Sequence, residues 1–379
     1  MSWDVPLTDV VITPEDRRAV AECLEGGWLT MGPRTRRFEA ALEQWTGASH
    51  AVTVSSGTAA LHLAARALDL GPGDEVVVPA LTFVATANAV RYTGARPVLC
   101  DVESSVRPNL DAAAVERCLG PRTRAVIAVH LCGYPVDLGP VAELCEARGI
   151  ALVEDAAQAI GAELWPGRQA GTAGRLGCLS FFSKKQLCVG EGGAVLTADE
   201  ELAARVRSLR SHAMTSGTWD RHTGHAASYD VVDLGYNYRL DEPRAALGAA
   251  RLPRLREDIE RRRAAVHRYR AALADTPGLT LMWTEEDVAR SSHYAFPVLF
   301  ESGDARRRVR TQLASRGIQT TRYPVLHSFT ALAPLAAPGS LPAAEAAADR
   351  HLALPLSSHT EDDTVDRVAA AVRDALAQG

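Results

Sequence analysis

Between residues 50 and 200, short apolar runs rich in β-branched residues alternate with longer segments of helical hydrophobic periodicity. The short runs predict strands over 51–55, 75–78, 97–101, 125–129, 150–154 and 194–197. The segments between them predict helices, among them 58–68, 83–91, 141–148 and 200–209. This alternation indicates a mainly parallel sheet covered by helices on both faces. Ligands of such sheets bind beyond the carboxyl ends of the strands, so the residues that follow each strand are the first candidates for chemistry.

The pattern changes near residue 242, where a long, charged, arginine-rich helical stretch runs to about residue 272. It is followed by a predicted strand and two predicted helices, over 295–300, 305–316 and 364–376. The chain is therefore predicted to be an α/β protein with two parts, a large domain over residues 1–245 and a smaller C-terminal α+β domain over 246–379. Residues 211–229, with two glycines and three histidines, predict a flexible excursion.

Composition and charge exclude several classes of protein. Hydrophobic residues make up 47% and charged residues 23% of the chain, and the net charge is −5, which is typical of a globular protein and not of one that binds nucleic acid. The short clusters Arg261–Arg263 and Arg306–Arg308 predict solvated helix faces. The seven cysteines have no C-x-x-C spacing, so we expect no metal site. With no signal sequence and no apolar run of 18 residues, the sequence predicts a cytoplasmic protein without a membrane span.

The segment Ser55-Ser56-Gly57-Thr58 follows a predicted strand and opens a predicted helix. Free backbone N–H groups at a helix N-terminus bind phosphate, and hydroxyl groups add further donors. The alternative is an ordinary helix cap with a glycine turn. The segment matches neither the G-x-G-x-x-G nor the P-loop pattern, which disfavours a nucleotide-dependent dehydrogenase.

Two acids, Glu154 and Asp155, close the apolar strand predicted over 150–154. A carboxylate at a buried strand end needs a cationic partner, and a protonated pyridine nitrogen is one such partner. A helix cap or a metal ligand is the alternative.

Two adjacent lysines, Lys184 and Lys185, lie between the apolar run Leu179–Phe182 and the glycine-rich segment Gly190-Glu-Gly-Gly193. A lysine at a buried strand end has a lowered pKa and can form an imine with an aldehyde. The alternative is a solvated pair of surface lysines.

Taken together and in order, these segments resemble the DegT/DnrJ/EryC1/StrS family of sugar aminotransferases, which use pyridoxal 5′-phosphate (PLP) on the fold-type I scaffold. The resemblance covers nearly the whole chain. It rests on Gly27-Trp-Leu-Thr30, Val54-Ser-Ser-Gly-Thr-Ala-Ala60, Gly71-Pro-Gly-Asp-Glu-Val76, Thr82-Phe-Val-Ala-Thr-Ala-Asn88, Val129-His-Leu-Cys-Gly133, Glu154-Asp-Ala-Ala-Gln158, the lysine segment, Gly235-Tyr-Asn-Tyr-Arg239, Tyr323-Pro324 with His327, and Leu354-Pro355.

The resemblance implies a role for individual residues. Lys185, rather than Lys184, would form the Schiff base with PLP, and Asp155 would pair with the pyridinium nitrogen. The remaining implied PLP contacts are Gln158 with the 3-hydroxyl, Phe83 with the ring face, and Gly57, Thr58 and Ser180 with the phosphate. Asn237 would reach the phosphate bound by a neighbouring subunit, which implies a homodimer with shared active sites. The resemblance also places Thr30, Tyr323 and His327 near the substrate.

The activity implied is transfer of an amino group from L-glutamate to a keto sugar. The motif variants resemble enzymes that act at C4 of a nucleotide-linked, dTDP-type 4-keto-6-deoxyhexose in secondary-metabolite or surface-glycan pathways. Amination at C3 and amination of a keto-cyclitol are the alternatives, and glutamine is the alternative donor. Relatives that dehydrate sugars carry histidine where this chain has Lys185. The non-enzyme alternative is a regulatory protein with the PLP fold.

Overall fold

The computed structural model describes residues 3–337 and 339–378. Within these residues there are fourteen α-helices: α1 (Pro14–Glu25), α2 (Pro33–Thr46), α3 (Gly57–Ala67), α4 (Val84–Tyr92), α5 (Ala112–Cys118), α6 (Leu138–Ala147), α7 (Glu200–Arg210), α8 (Thr218–His222), α9 (Glu242–Arg251), α10 (Leu255–Leu273), α11 (Glu285–Arg290), α12 (Gly303–Ser315), α13 (Pro342–Arg350) and α14 (Asp362–Ala377). The same residues form twelve strands: β1 (His50–Val54), β2 (Glu75–Pro79), β3 (Arg96–Cys100), β4 (Thr123–Val129), β5 (Ala151–Asp155), β6 (Glu163–Trp165), β7 (Arg168–Gln169), β8 (Leu176–Ser180), β9 (Gly193–Thr197), β10 (Leu279–Leu281), β11 (Phe296–Phe300) and β12 (His351–Leu354).

A seven-stranded sheet in the order β1-β9-β8-β5-β4-β2-β3 forms the centre of the molecule. All its strands run parallel except β9, which is antiparallel to both of its neighbours. Strands β2, β8 and β9 are buried along their whole length, as expected for a sheet covered on both faces. The predicted α/β fold with a mainly parallel sheet is confirmed. The carboxyl ends of β1, β2, β4, β5 and β8 therefore meet at one edge.

A second sheet, β10-β11-β12, is antiparallel and packs in the C-terminal part of the chain with α10, α12 and α14. Residue 245, where we predict the large domain to end, lies inside α9. The division into two domains at that residue stays a prediction.

The segment that precedes β11 joins the C-terminal part to the central sheet. Ser292 N donates a hydrogen bond to Gly133 O at 3.0 Å, and Tyr294 N donates one to Cys132 O at 3.0 Å. Gly133 has a φ of +90°, and a Cβ there would lie 2.8 Å from Tyr294 N. Only glycine allows this close approach, so the loop after β4 and the segment before β11 are held backbone to backbone.

The arginine-rich stretch differs from its prediction. It is broken by a 3-10 turn at Leu252–Arg254, because Pro253 cannot donate the helical hydrogen bond. Arg262 and Arg306 are each only 3% exposed, so the prediction of fully solvated helix faces is wrong for these two residues. Arg262 donates hydrogen bonds to backbone carbonyls, including that of His293 at 3.3 Å.

The predicted excursion at 211–229 contains the short helix α8, whose Trp219 packs edge-on against Trp28 with ring centroids 4.8 Å apart. Among the described residues, no helix is both long and apolar enough to cross a membrane.

Candidate active site

The start of α3 faces the end of β8 across the edge of the sheet. Ser56 caps the helix by accepting a hydrogen bond from Ala59 N at 3.1 Å, which leaves the N–H groups of Gly57 and Thr58 without helical partners. A Cβ on Gly57 would lie 2.8 Å from Ser180 Cβ, so a side chain at position 57 would displace Ser180. The segment Ser56–Thr58 with Ser180 thus forms a small cradle of backbone N–H and hydroxyl donors, which suits a phosphate.

Asp155 is the last residue of β5 and is 5% exposed. Its Oδ2 accepts a hydrogen bond from Thr86 Oγ1 at 2.8 Å, and its Oδ1 accepts one from Ala157 N at 3.2 Å. Burial raises the pKa of Asp155 above its ordinary value, although these hydrogen bonds and the Lys185 charge oppose the effect. A cation bound beside Asp155 would therefore strongly stabilise its ionised form.

The neighbouring acid, Glu154, points to the other side of β5, where its hydrogen-bond partners are groups of the protein itself. It bonds to His130 Nε2 at 2.9 Å and accepts hydrogen bonds from Gly171 N and Gly174 N at 2.8 and 2.6 Å. Burial acts to raise the pKa of Glu154, but these hydrogen bonds outweigh it and the pKa lies below its ordinary value. Glu154 therefore fixes the turn before β8, and Asp155 is left as the acid that faces the site.

Lys185 follows β8 in the loop that leads to β9. Its Nζ lies 4.1 Å from the centroid of the Tyr294 ring. The residue as a whole is partly exposed, but its amine is enclosed, and burial lowers the pKa of Lys185 to about 8 against opposing effects of Asp155 and Cys132. Lys184, next to it, is exposed. The two lysines are the only ones among the 379 residues. A lysine with a lowered pKa has the larger fraction of nucleophilic free amine.

Gln158 and Phe83 are the other two residues predicted to contact the body of the cofactor. Gln158 is 7% exposed, and its Oε1 accepts a hydrogen bond from Cys132 N at 2.7 Å, so the amide nitrogen is the end that can reach a ligand. Phe83 immediately precedes α4 and is 62% exposed, so its ring can contact a ligand.

Asn237 lies in an extended segment beside the end of β1. Its neighbours Tyr236 and Tyr238 pack inward with ring centroids 5.2 Å apart, and Tyr238 O accepts a hydrogen bond from Ser55 N at 2.8 Å. Side chains alternate along extended backbone, and Asn237 is accordingly exposed on the opposite side. Its contact with a second subunit stays a prediction.

The three residues predicted near the substrate lie in different places. Tyr323 is close to Cys132 and Tyr294, and burial raises its pKa well above the ordinary value. His327 is 9% exposed, and its Nε2 lies 2.9 Å from Glu345 Oε1, which gives it a partner within the C-terminal part. Thr30 is exposed on the loop between α1 and α2. Their substrate contacts stay predictions.

Sequence reasoning missed three residues of this site: Thr86, Cys132 and Tyr294. Thr86 could have been found, because on a helix it lies one turn after Phe83 and so faces the same side. Cys132 and Tyr294 offered no local signal, because their places depend on the backbone contact between the loop after β4 and the segment before β11.

These residues fit PLP. The cradle at Gly57 and Ser180 suits its phosphate, the buried carboxylate of Asp155 suits a pyridinium, and the Lys185 amine suits its aldehyde. No lysine other than Lys184 competes for the bond.

Comparison with known proteins agrees with this fit. Residues 10–373 match the model of the DegT/DnrJ/EryC1/StrS aminotransferase family. The chain is 41% identical over 379 residues to dTDP-3-amino-3,4,6-trideoxy-alpha-D-glucose transaminase of Streptomyces venezuelae, covering 98% of this chain and 96% of that one. It is 39% identical over 372 residues to dTDP-4-dehydro-2,3,6-trideoxy-D-glucose 4-aminotransferase of Saccharopolyspora spinosa, with coverages of 96% and 95%.

Solved structures of sugar aminotransferases have the same fold. Streptomyces venezuelae DesV, crystallised with a ketimine intermediate, superposes with a TM-score of 0.90 at 38% identity, covering 99% of this chain and 98% of that one. Spr1654 of Streptococcus pneumoniae in its PLP form superposes with a TM-score of 0.91 at 26% identity, with 99% of both chains covered. The predicted fold type and the predicted cofactor are confirmed. The chain belongs to the DegT/DnrJ/EryC1/StrS family of PLP-dependent sugar aminotransferases.

Proposed function

We propose that this enzyme transfers the amino group of L-glutamate to C4 of a dTDP-linked 4-keto-6-deoxyhexose. The observation that supports amino transfer most directly is the meeting of three groups at one sheet edge: the cradle of Gly57 and Ser180, the buried carboxylate of Asp155, and the enclosed amine of Lys185. The motif variants around Lys185 and Asn237 favour C4 over C3, and the C4-acting relative of Saccharopolyspora spinosa is 39% identical.

Different residues of the chain carry out different parts of the proposed reaction. When bound, PLP supplies an electron sink for the electron pair left at the carbon that bears the nitrogen. Asp155 holds the proton on the pyridine nitrogen, and Thr86 Oγ1 fixes the orientation of its Oδ2. Lys185 Nζ would accept the α-proton of the donor as general base and would donate a proton in turn as general acid. With the keto sugar, the same residues act in the reverse order.

The cofactor's other contacts orient it for this proton transfer. The free N–H groups at the start of α3 would hold the phosphate, the Gln158 amide would contact the 3-hydroxyl, and the exposed ring of Phe83 would cover one face of the cofactor. Lys185 would then move the proton on the face that Phe83 does not cover.

Amination at C3 is the second candidate, since the Streptomyces venezuelae relative, 41% identical, makes a 3-amino sugar. The experiment that separates the two is an assay of purified enzyme with dTDP-linked 3-keto and 4-keto sugars and with scyllo-inosose, each with glutamate and with glutamine as donor. NMR assignment of the carbon that bears the new nitrogen gives the answer. A product aminated only at C3, or only from the cyclitol, would overturn the C4 proposal.

The active unit proposed is a homodimer with shared sites. Exposed Asn237 follows an apolar surface formed by Tyr229, Val231, Val232 and Leu234, which are 54–70% exposed, with the exposed acids Asp230 and Asp233 between them in the chain. An apolar surface of this kind is typical of a protein interface. A second copy docked there would bring Asn237 toward the partner's phosphate cradle, as the family resemblance implies.

A further inference from the structure

Lys185 needs a second position in the proposed reaction. In that reaction its Nζ would be bonded to the cofactor at rest and would be released when the donor nitrogen takes its place, and it would then have to stay close enough to move the proton. The freed amine lies in an enclosed environment, where an ammonium group without a partner is costly. Something in the site must therefore hold the free lysine.

Tyr294 is placed to do so. In the structure Lys185 Nζ lies over the Tyr294 ring, 4.1 Å from its centroid, which is inside the distance for a cation–π contact. Asp155, the acid whose charge acts on Lys185, is the proposed partner of the pyridinium nitrogen and also accepts hydrogen bonds from Thr86 and Ala157, so Tyr294 offers the lysine a separate contact. Burial raises the pKa of the Tyr294 phenol to about 12, so the ring remains neutral and presents its electron-rich face at neutral pH.

The backbone of Tyr294 is held by hydrogen bonds to both its N–H group and its carbonyl group. Tyr294 N donates to Cys132 O at 3.0 Å, and Tyr294 O accepts from the buried Arg262 guanidinium at 3.5 Å. Cys132 N in turn binds Gln158 Oε1 at 2.7 Å, so the ring is tied to a residue of the cofactor site. Since Tyr294 comes from the segment before β11, the C-terminal part of the chain supplies the contact to a lysine of the central sheet.

We propose that Tyr294 is a positioning residue. Its ring holds the Lys185 ammonium group whenever the lysine is not bonded to the cofactor. The inference rests on the proposed role of Lys185. It makes Tyr294 a residue that acts through the lysine and not on the sugar, so it should affect both halves of the reaction equally.

The test is an NMR titration of enzyme loaded with pyridoxamine 5′-phosphate, in which the lysine is free. Labelling with ¹³C- and ¹⁵N-lysine gives only two side-chain signals, and exposed Lys184 is the internal reference. Tyr294→Leu removes the ring and should lower the pKa of Lys185 by about one unit, a roughly tenfold change in its protonation equilibrium. Tyr294→Phe keeps the ring and should leave the pKa within a few tenths of the wild-type value.

Two further readouts test the inference, and the first needs only the wild-type enzyme, so it remains usable if Tyr294→Leu folds poorly. In the wild-type enzyme the ε-methylene protons of Lys185 should be shifted upfield by the ring current relative to those of Lys184. In steady-state assays Tyr294→Phe should keep the wild-type kcat, and Tyr294→Leu should lower kcat with little change in the KM of either substrate. An unshifted Lys185 methylene signal, an unchanged pKa in Tyr294→Leu, or an equal pKa change in both variants would overturn the inference. Borohydride trapping on Lys184 would instead overturn the proposed role of Lys185.

Discussion

At the scale of single residues, two neighbouring lysines differ because of where the loop after β8 places them. Lys184 is exposed, while the amine of Lys185 is enclosed beside Asp155 and Tyr294, and burial lowers its pKa to about 8. Chemically the two side chains are identical, so the difference in reactivity is entirely one of environment.

We expect Lys185→Ala to lose all turnover and the covalent bond to PLP, and Lys184→Ala to keep both. The two variants remove neighbouring lysines, and the chain has no third lysine that could replace either of them. Absorbance of the bound cofactor, borohydride reduction and peptide mass mapping measure the bond. A reduced adduct on the peptide at Lys184 in wild-type enzyme contradicts the assignment.

The second prediction at this scale concerns Asp155. Asp155→Asn keeps the shape and the Thr86 contact but removes the charge that holds the pyridinium proton, so the rate should fall by roughly 10²–10⁴ while PLP still binds. Single-turnover kinetics with glutamate measure the loss. Glu154→Gln is the control: its carboxylate contacts are with His130 and the turn before β8, so it should destabilise the fold more than it slows a properly folded enzyme. Near-normal turnover in Asp155→Asn counts against the role.

At the scale of elements, the site depends on how closely the start of α3 approaches the end of β8. The contact is set by Gly57, since a Cβ there would come within 2.8 Å of Ser180 Cβ. The sheet brings these elements together because β1, which leads into α3, and β8 run parallel on either side of β9. The phosphate cradle is thus a property of two elements and of neither one alone.

Gly57→Ala should weaken PLP binding about tenfold or more, because overpacking of this kind costs about 1–3 kcal/mol. The atom in the way is the Cβ of Ser180, so the double variant Gly57→Ala/Ser180→Gly should recover part of the loss, limited by the missing hydroxyl. Ser180→Gly alone shows how much PLP affinity is lost with the hydroxyl group, and this loss limits the recovery. Fluorescence titration measures the PLP affinity of all three variants. If Gly57→Ala binds PLP as tightly as wild type does, the cradle is not the phosphate site.

At the scale of the whole molecule, the apolar surface at 229–234 and the exposed Asn237 beside it support the proposed dimer. If each active site takes residues from both chains of a dimer, two inactive variants can complement one another, which two monomers could not do.

The inactive variant Lys185→Ala is mixed with Asn237→Asp, and the mixture is partly unfolded and refolded so that heterodimers form. Asn237→Asp is chosen because it places a negative charge against the phosphate. A heterodimer then has one site with both native residues, so a 1:1 mixture should regain about a quarter of the wild-type activity. Asn237→Ala alone should weaken PLP binding by about 1.5–3 kcal/mol, the range for a hydrogen bond to a charged group. Activity that stays at the level of the separate variants, or a fully active monomer by light scattering, contradicts shared sites.

Much of this protein could be predicted from the sequence because its signals are local. The alternation of apolar runs and helical segments predicted the parallel sheet, and the order of motifs around Gly57, Asp155 and Lys185 predicted the family and its cofactor. Strand ends and helix starts carry these residues, and such positions depend on neighbours a few residues away.

Only the tertiary structure showed what holds Glu154 away from the site and Asp155 toward it, and what surrounds the lysine. Alternation along β5 sends Glu154 to His130 and Asp155 to Thr86. Buried Arg262 lies in a run that looks solvated by charge alone, because its partners are backbone carbonyls, which carry no sequence signal. Tyr294, more than a hundred residues from Lys185 in the chain, reaches it through backbone contacts between two distant segments, which depend on Gly133 but not on the type of residue at position 294. Contacts of this kind depend on how distant elements pack, so no local pattern could have predicted them.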